Sequence, residues 1–255
     1  MGQINPPLLL LIKIKQSDDG LFFFCNQITC CASVPDLRHL FFGGSSGVIT
    51  IYNTKHNPAK ESELQVFGHK RCLYGHKRSI NCLVVCKPYS IMVSASQDAT
   101  CIIWDLNRLS YVRSIKGHRS GVQVLAVSDT LGDIASACQY GMGSQLYIHT
   151  VNGEYVAKVM CEETINCLTY STAAEGVSIN VIAGGLSSGV VRMWSSWDLN
   201  PVRNLEHGSS PVISLTFTKD SQKLYVSSSD GRVRLWDYIG QPKLKSNRLF
   251  KPYIF

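Results

Sequence analysis

The chain has 255 residues, is 45% apolar and 17% charged, and carries a formal net charge of +7. That length supplies one large core, and that composition excludes a disordered chain. The modest basic excess suits an acidic partner, an anionic membrane surface or nucleic acid, but also a merely solvated basic surface.

At the N-terminus the apolar run Leu8 to Ile12 is too short for a signal core or a membrane span. Gly2 raises the question of myristoylation, but Pro6 stands where that motif needs Ser or Thr. Leu8 to Lys15 therefore reads as a strand, and Leu21 to Cys25 as another after the turn-rich Ser17-Asp18-Asp19-Gly20. Next come Ile28 to Ser33, Leu40 to Phe42 and Val48 to Tyr52, broken at Pro35-Asp36. His56 to Cys72 is polar and poorly patterned, with Pro58, Lys60, Glu61 and Glu63, so an exposed insertion loop is expected there.

The clearest set of strands follows. Ile80 to Cys86 ends at Lys87-Pro88-Tyr89-Ser90, Ile91 to Ala95 at Gln97-Asp98-Ala99, and Thr100 to Trp104 completes the set. Tyr111 to Ile115 fits an outer strand. Further sets are Val122 to Val127, Ile134 to Cys138, Gln145 to His149 and Tyr155 to Val159, then Ile165 to Tyr170, Ile179 to Ala183 and Val190 to Trp194. The last is Val212 to Phe217, Lys223 to Val226 and Arg232 to Trp236. The ten cysteines include no CxxC pair and mostly sit inside these apolar strands. They read as buried, reduced, small hydrophobes of a cytosolic protein.

Five of these sets end alike: GGSSGVITIYN (Gly43 to Asn53), SASQDATCIIWD (Ser94 to Asp105), GSQLYIHT (Gly143 to Thr150), GGLSSGVVRMWS (Gly184 to Ser195) and SSSDGRVRLWD (Ser227 to Asp237). Tyr52, Trp104, His149, Trp194 and Trp236 align as equivalent positions, separated by 52, 45, 45 and 42 residues. A period of about 40–45 residues with turn, strand and Trp-Asp ending marks an all-β WD-repeat β-propeller. Five blades are recognisable and a partial sixth or seventh is left open. The expected organisation is a partial blade or N-terminal strands over 1–27, the propeller over 28–240 and a tail over 241–255. Each small sheet buries its second face only against the next, which explains the serial arrangement.

His76, Ser94, Asp98 and Trp104 are the residue types of a buried relay: indole to hydroxyl to imidazole to carboxylate. Only this repeat is complete. His118 opens the next at the same offset, and the last repeat keeps His207, Asp230 and Trp236 but has Val226 in the place of Ser94. A Ser-His-Asp triad uses the same types, yet recurrence at repeat spacing points to a structural network. His69, Cys72 and His76 lack a fourth ligand at zinc spacing, and Gly43 to Gly47 lacks the Gly-Lys-Ser/Thr of a phosphate loop. No catalytic, cofactor or metal residue is assigned. Lys70, Arg71, Lys77 and Arg78 are candidate contacts for an anionic lipid or a partner.

Two longer strings, Cys86 to Ser120 and Glu175 to Arg203, together with Val151-Asn152-Gly153-Glu154, resemble the C-terminal propellers of the BEACH-domain family, in its lysosomal-trafficking branch. The resemblance implies a non-catalytic scaffold in vesicle traffic to lysosomes and lysosome-related organelles, with vesicle fusion or sorting factors as partners. It implies a cytoplasmic protein, peripheral on endosomal or lysosomal membranes, and BEACH and PH-like domains ahead of this segment in a longer gene product. The alternative is a peripheral module binding anionic lipid through the basic loop. Nucleic acid is not favoured, because aromatics do not interleave with the basic residues.

Overall fold

The computed structural model describes residues 27–34, 39–57, 60–172 and 180–237. The expected strands Leu8 to Lys15 and Leu21 to Cys25 lie outside them. Among the described residues every regular element is a strand, and the strands form five antiparallel sheets, one for each repeat seen in the sequence. By contacts the chain divides into two compact units, Gln3–Gln123 and Val124–Phe255.

In the first unit β1 (Ile28–Val34), β2 (His39–Gly44), β3 (Ile49–Asn57) and β4 (Lys60–Leu73) form one sheet in sequence order. β5 (Ile80–Cys86), β6 (Ile91–Ser96), β7 (Cys101–Asp105) and β8 (Ser110–Ile115) form the next. Phe41, Ile49 and Ile51 of the first sheet join Ile80, Met92, Ile102 and Trp104 of the second in one core. Strands β2, β6 and β7 are buried nearly throughout, so they read as continuous apolar runs rather than alternations.

The sequence 56–72 is not the irregular loop expected above. β3 and β4 continue as a ladder to the Asn57–Lys60 pair, with irregularities at Ile51/Asn53 and His56/Asn57. Charged residues have weak strand preference, but a hairpin ladder satisfies each backbone group locally, and an edge strand tolerates charge on its open side.

The second unit begins within β9 (Val122–Val127). With β10 (Ile134–Tyr140), β11 (Gly143–His149) and β12 (Tyr155–Cys161) it forms a sheet whose outer edge is β12. β13 (Ile165–Tyr170), β14 (Val181–Leu186), β15 (Val190–Ser195) and β16 (Pro201–Glu206) form another. β17 (Val212–Phe217), β18 (Lys223–Ser228) and β19 (Val233–Asp237) form the last. Leu146, Ile148, Ile165, Leu168, Ile182 and Trp194 share one core. Ala183, Val191, Met193, Val212 and Leu224 share a second.

One packing device occurs in both units. A Cβ on Gly43 would lie 2.5 Å from Cys30 Sγ and 2.9 Å from Ile80 of the neighbouring sheet. A Cβ on Gly185 would lie 2.6 Å from Cys167 Sγ and 2.5 Å from Val212 of the neighbouring sheet. The missing side chain lets the first strand of the next sheet press onto the second strand of this one. Each cysteine follows a register shift in its own strand, at Ile28/Cys30 and Ile165/Cys167.

Candidate functional site: polar relays and an exposed basic loop

The relay of the second sheet is assembled from three places in the chain. Trp104 on β7 donates its indole N–H to Ser94 Oγ on β6 at 2.8 Å. Ser94 Oγ stands 2.7 Å from His76 Nε2, and His76 Nδ1 stands 3.1 Å from Asp98 Oδ2 in the β6–β7 turn. The Asp98 carboxylate only accepts, so Nδ1–H donates to it; Nε2 of the neutral ring then accepts the Ser94 O–H, whose oxygen receives the indole proton. Asp98 also accepts from Lys77 N at 2.8 Å, Thr100 N at 3.0 Å and Thr100 Oγ1 at 2.6 Å.

Electrostatics agree with this assignment. Burial holds the His76 imidazole below its usual range, although Asp98 pulls the other way, so the ring is neutral at pH 7. Burial alone would raise Asp98. The Thr100 hydroxyl, the Lys77 N–H and His76 outweigh it and hold the carboxyl below the usual carboxylate range. Ser94, His76 and Asp98 have the connectivity of a hydrolytic triad. Ser94 is fully buried, however, and its oxygen is held by the indole, so the geometry locks strands rather than presenting a nucleophile. Both His76 nitrogens are engaged, which takes this histidine out of the His69, Cys72 and His76 set considered for zinc.

The last sheet carries the same relay in altered form. His207 Nε2 lies 3.3 Å from Ser228 Oγ, and Ser228 Oγ donates to Asp230. Trp236 Nε1 donates directly to His207 Nδ1 at 3.4 Å. His207 is buried, which lowers its pKa to about 4; the Arg234 charge adds to this against Asp230. The sequence reading placed Val226 opposite Ser94 and missed Ser228. The signal was present: Ser-x-Asp recurs at Ser96/Asp98 and Ser228/Asp230. Thr100 and the Lys77 N–H were missed as well.

The aligned aromatic positions are equivalent in register. Trp104 pairs with Met92, His149 with Ile134, Trp194 with Ile182, Trp236 with Leu224 and Tyr52 with Leu40, each on the preceding strand. What stands in the Ser94 place varies with what it must meet. Phe42 packs edge-on against Tyr52 at 5.7 Å. Gly184 lies under the Trp194 ring, where a Cβ would come within 2.7 Å. His149 is buried, stacks on Tyr147 and meets Tyr155 edge-on, and burial lowers its pKa. His118 is buried between β8 and β9.

The basic candidates sit on the first unit. Lys70 and Arg71 belong to β4, and Lys77 and Arg78 lie in the segment from β4 to β5. Arg71, Lys77 and Arg78 are exposed. The segment is pinned from beneath: Lys77 N donates to Asp98, and Arg78 O accepts from Ser96 Oγ at 3.0 Å. A φ of +83 at Gly47 permits the β2–β3 turn to approach His76 O and Arg78 O, where a Cβ would fall at 2.7 and 2.9 Å. The relay thus fixes the backbone from which two cations project.

Repeated antiparallel sheets with an indole–hydroxyl–imidazole–carboxylate relay define a WD-type β-propeller. The sequence profile of the neurobeachin β-propeller domain matches residues 49–246. The chain belongs to that family, the propellers of BEACH proteins. It is 48% identical over 244 residues to the lysosomal-trafficking regulator of Homo sapiens, an alignment covering 93% of this chain and 6% of that protein. It is 30% identical over 218 residues to the lysosomal-trafficking regulator of Drosophila melanogaster, covering 66% of this chain and 6% of that protein. It is 25% identical over 245 residues to BEACH domain-containing protein A2 of Arabidopsis thaliana, covering 83% and 7%. The chain therefore spans only a small fraction of the length of these relatives.

Proposed function

We propose that this propeller is a non-catalytic protein-interaction scaffold in lysosomal and lysosome-related vesicle traffic, working beside a BEACH domain. The observation that carries the reading is the 48% identity to a lysosomal-trafficking regulator across 93% of the chain. The physics agrees with it. The polar relays consume their hydroxyl, imidazole and carboxylate groups in holding strands together, while exposed side chains gather on edges and turns, where recognition is placed on rigid folds. The partners are vesicle fusion or sorting factors. The protein works in the cytoplasm, peripheral on endosomal or lysosomal membranes. Affinity capture from cells tests the reading: reproducible recovery of vesicle fusion or sorting proteins supports it, and their absence across repeats overturns it.

A second reading rests on the pinned basic segment. Arg71, Lys77 and Arg78, exposed above a fixed backbone, with Lys70 on β4, would attract anionic lipid at about 1 kcal/mol per cation near the surface. Flotation with neutral and anionic vesicles at two salt concentrations decides it. Salt-sensitive binding to anionic vesicles alone supports it, and equal binding to both kinds removes it.

A further inference from the structure

The β10–β11 hairpin differs from its four counterparts at the tip. Those turn through Ser45-Ser46-Gly47, Gln97-Asp98-Ala99, Ser187-Ser188-Gly189 and Ser229-Asp230-Gly231. Here the ladder runs on to a Tyr140–Gly143 pair, so the turn is Gly141-Met142 alone, with Gly141 at a φ of +59. Polar residues are replaced by Tyr140, 40% exposed, and Met142, 94% exposed. A side chain that open contributes nothing to the core, and exposed clusters of large apolar residues mark interaction sites.

The surroundings specify what the tip would receive. A Cβ on Gly143 would lie 2.1 Å from Cys161 O and 2.6 Å from the Glu162 carbonyl carbon, so the hairpin rests on the turn leaving β12. That turn carries Glu162, which is exposed, and Glu163, whose Oε2 is buried with no hydrogen-bond partner among the described residues. The exposed Glu162 and the partly exposed Glu163 side chain set two carboxyl groups on the turn beside the tip. Met160, 49% exposed, lies on β12 opposite Gln145, one pair from the Ser144–Cys161 pair. Methionine is adaptable and common on surfaces that accept varied apolar side chains.

We propose that the Tyr140–Met142 tip, with Met160 and the Glu162–Glu163 turn, docks a segment of a partner protein in which basic residues flank apolar ones. The occupant follows from charge: the two carboxyl groups of the turn beside the apolar tip attract Lys or Arg, with Arg192, 3.6 Å from Cys161 Sγ, and exposed Lys158 as the neighbouring cations. The proposal deepens the scaffold reading and rests on it.

A photo-crosslinking phenylalanine at position 142 of the full chain, expressed in cells, tests it, with the same group at exposed Asp129 as control. Adducts at 142 are expected to map to protein segments with Lys or Arg beside Leu, Ile, Phe or Met. The Tyr140→Ser/Glu162→Lys variant, checked by circular dichroism and melting, is expected to lose them by at least about tenfold. Adducts no more frequent than at 129, adducts to acidic segments or lipid, or adducts that persist in the folded variant overturn the proposal. If 142 captures basic–apolar segments only from proteins without a vesicle role, the surface stands and the trafficking reading falls. If vesicle proteins co-purify with the chain but bypass 142, the surface falls and the trafficking reading stands.

Discussion

Trp236 reaches His207 directly across 3.4 Å, whereas Ser94 separates Trp104 from His76. The serine shortens each link, to 2.8 and 2.7 Å, and buries the whole path. The relay in the second sheet is therefore the tighter lock. Ser94→Ala leaves an indole N–H and an imidazole nitrogen unpaired in the core, at a cost of about 1–3 kcal/mol. Trp104→Ala adds the loss of a fully buried ring and costs about 3–5 kcal/mol. Trp236→Phe removes one long bond from a half-buried ring and costs less than about 1 kcal/mol. Urea denaturation of the three variants checks the order; equal costs for Ser94→Ala and Trp236→Phe would refute it.

Gly185→Ala forces a methyl group into space already held by Cys167 Sγ and Val212. Overpacking of this kind costs about 1–3 kcal/mol. Removing the sulfur makes room, so Cys167→Ala in the same chain is expected to recover part of the loss. A double-mutant cycle then shows a coupling of at least about 0.5 kcal/mol. Strict additivity would mean that the sulfur is not the obstacle.

The strands were legible because apolar runs are bounded by Gly, Pro and Asp, and because the repeat offers each signal five times. Strands such as Ile80–Cys86 and Val212–Phe217 stand where the sequence placed them. The Gly185, Cys167 and Val212 contact was not legible, since its members lie on two sheets and nothing in sequence pairs them. β4 was hidden for another reason: Glu61, Glu63, Lys70 and Arg71 mask an alternation whose pairing is enforced by the ladder with β3. In the last relay Ser228 stands two residues beyond the Ser94 place on the same face of its strand, so alternation alone does not tell the two positions apart.

Ala99 occupies the turn position that is glycine at 47, 189 and 231, and its φ of +65 matches their +83, +92 and +77. An L side chain in this region costs about 1–2 kcal/mol. Ala99→Gly relieves that strain but loosens the unfolded chain. A net stabilisation of up to about 1 kcal/mol is expected, against the usual penalty for glycine. Ala99→Val should destabilise. Melting temperatures of the pair, read on the full chain, decide it; a lower value for the glycine variant would show that the turn is unstrained.

His76, His149 and His207 all have folded pKa values below the ordinary value, each because burial opposes the charged ring. The native state then binds fewer protons than the unfolded chain once pH drops below about 6.5. Stability is full above that pH and falls as acid is added, by up to about 1.4 kcal/mol per pH unit for each histidine. For His207 the fall continues to about 4. The gap from about 6.5 corresponds to about 3 kcal/mol at most. Asp98, held low by its donors, loses its contribution in the same direction at lower pH. Urea midpoints at pH 7.5, 7, 6 and 5 should decline, with little change between 7.5 and 7. His207→Gln keeps a donor and an acceptor but cannot titrate, so it should lower stability at pH 7.5 and flatten the decline below 6. An unchanged slope would mean that His207 takes up its proton while still folded.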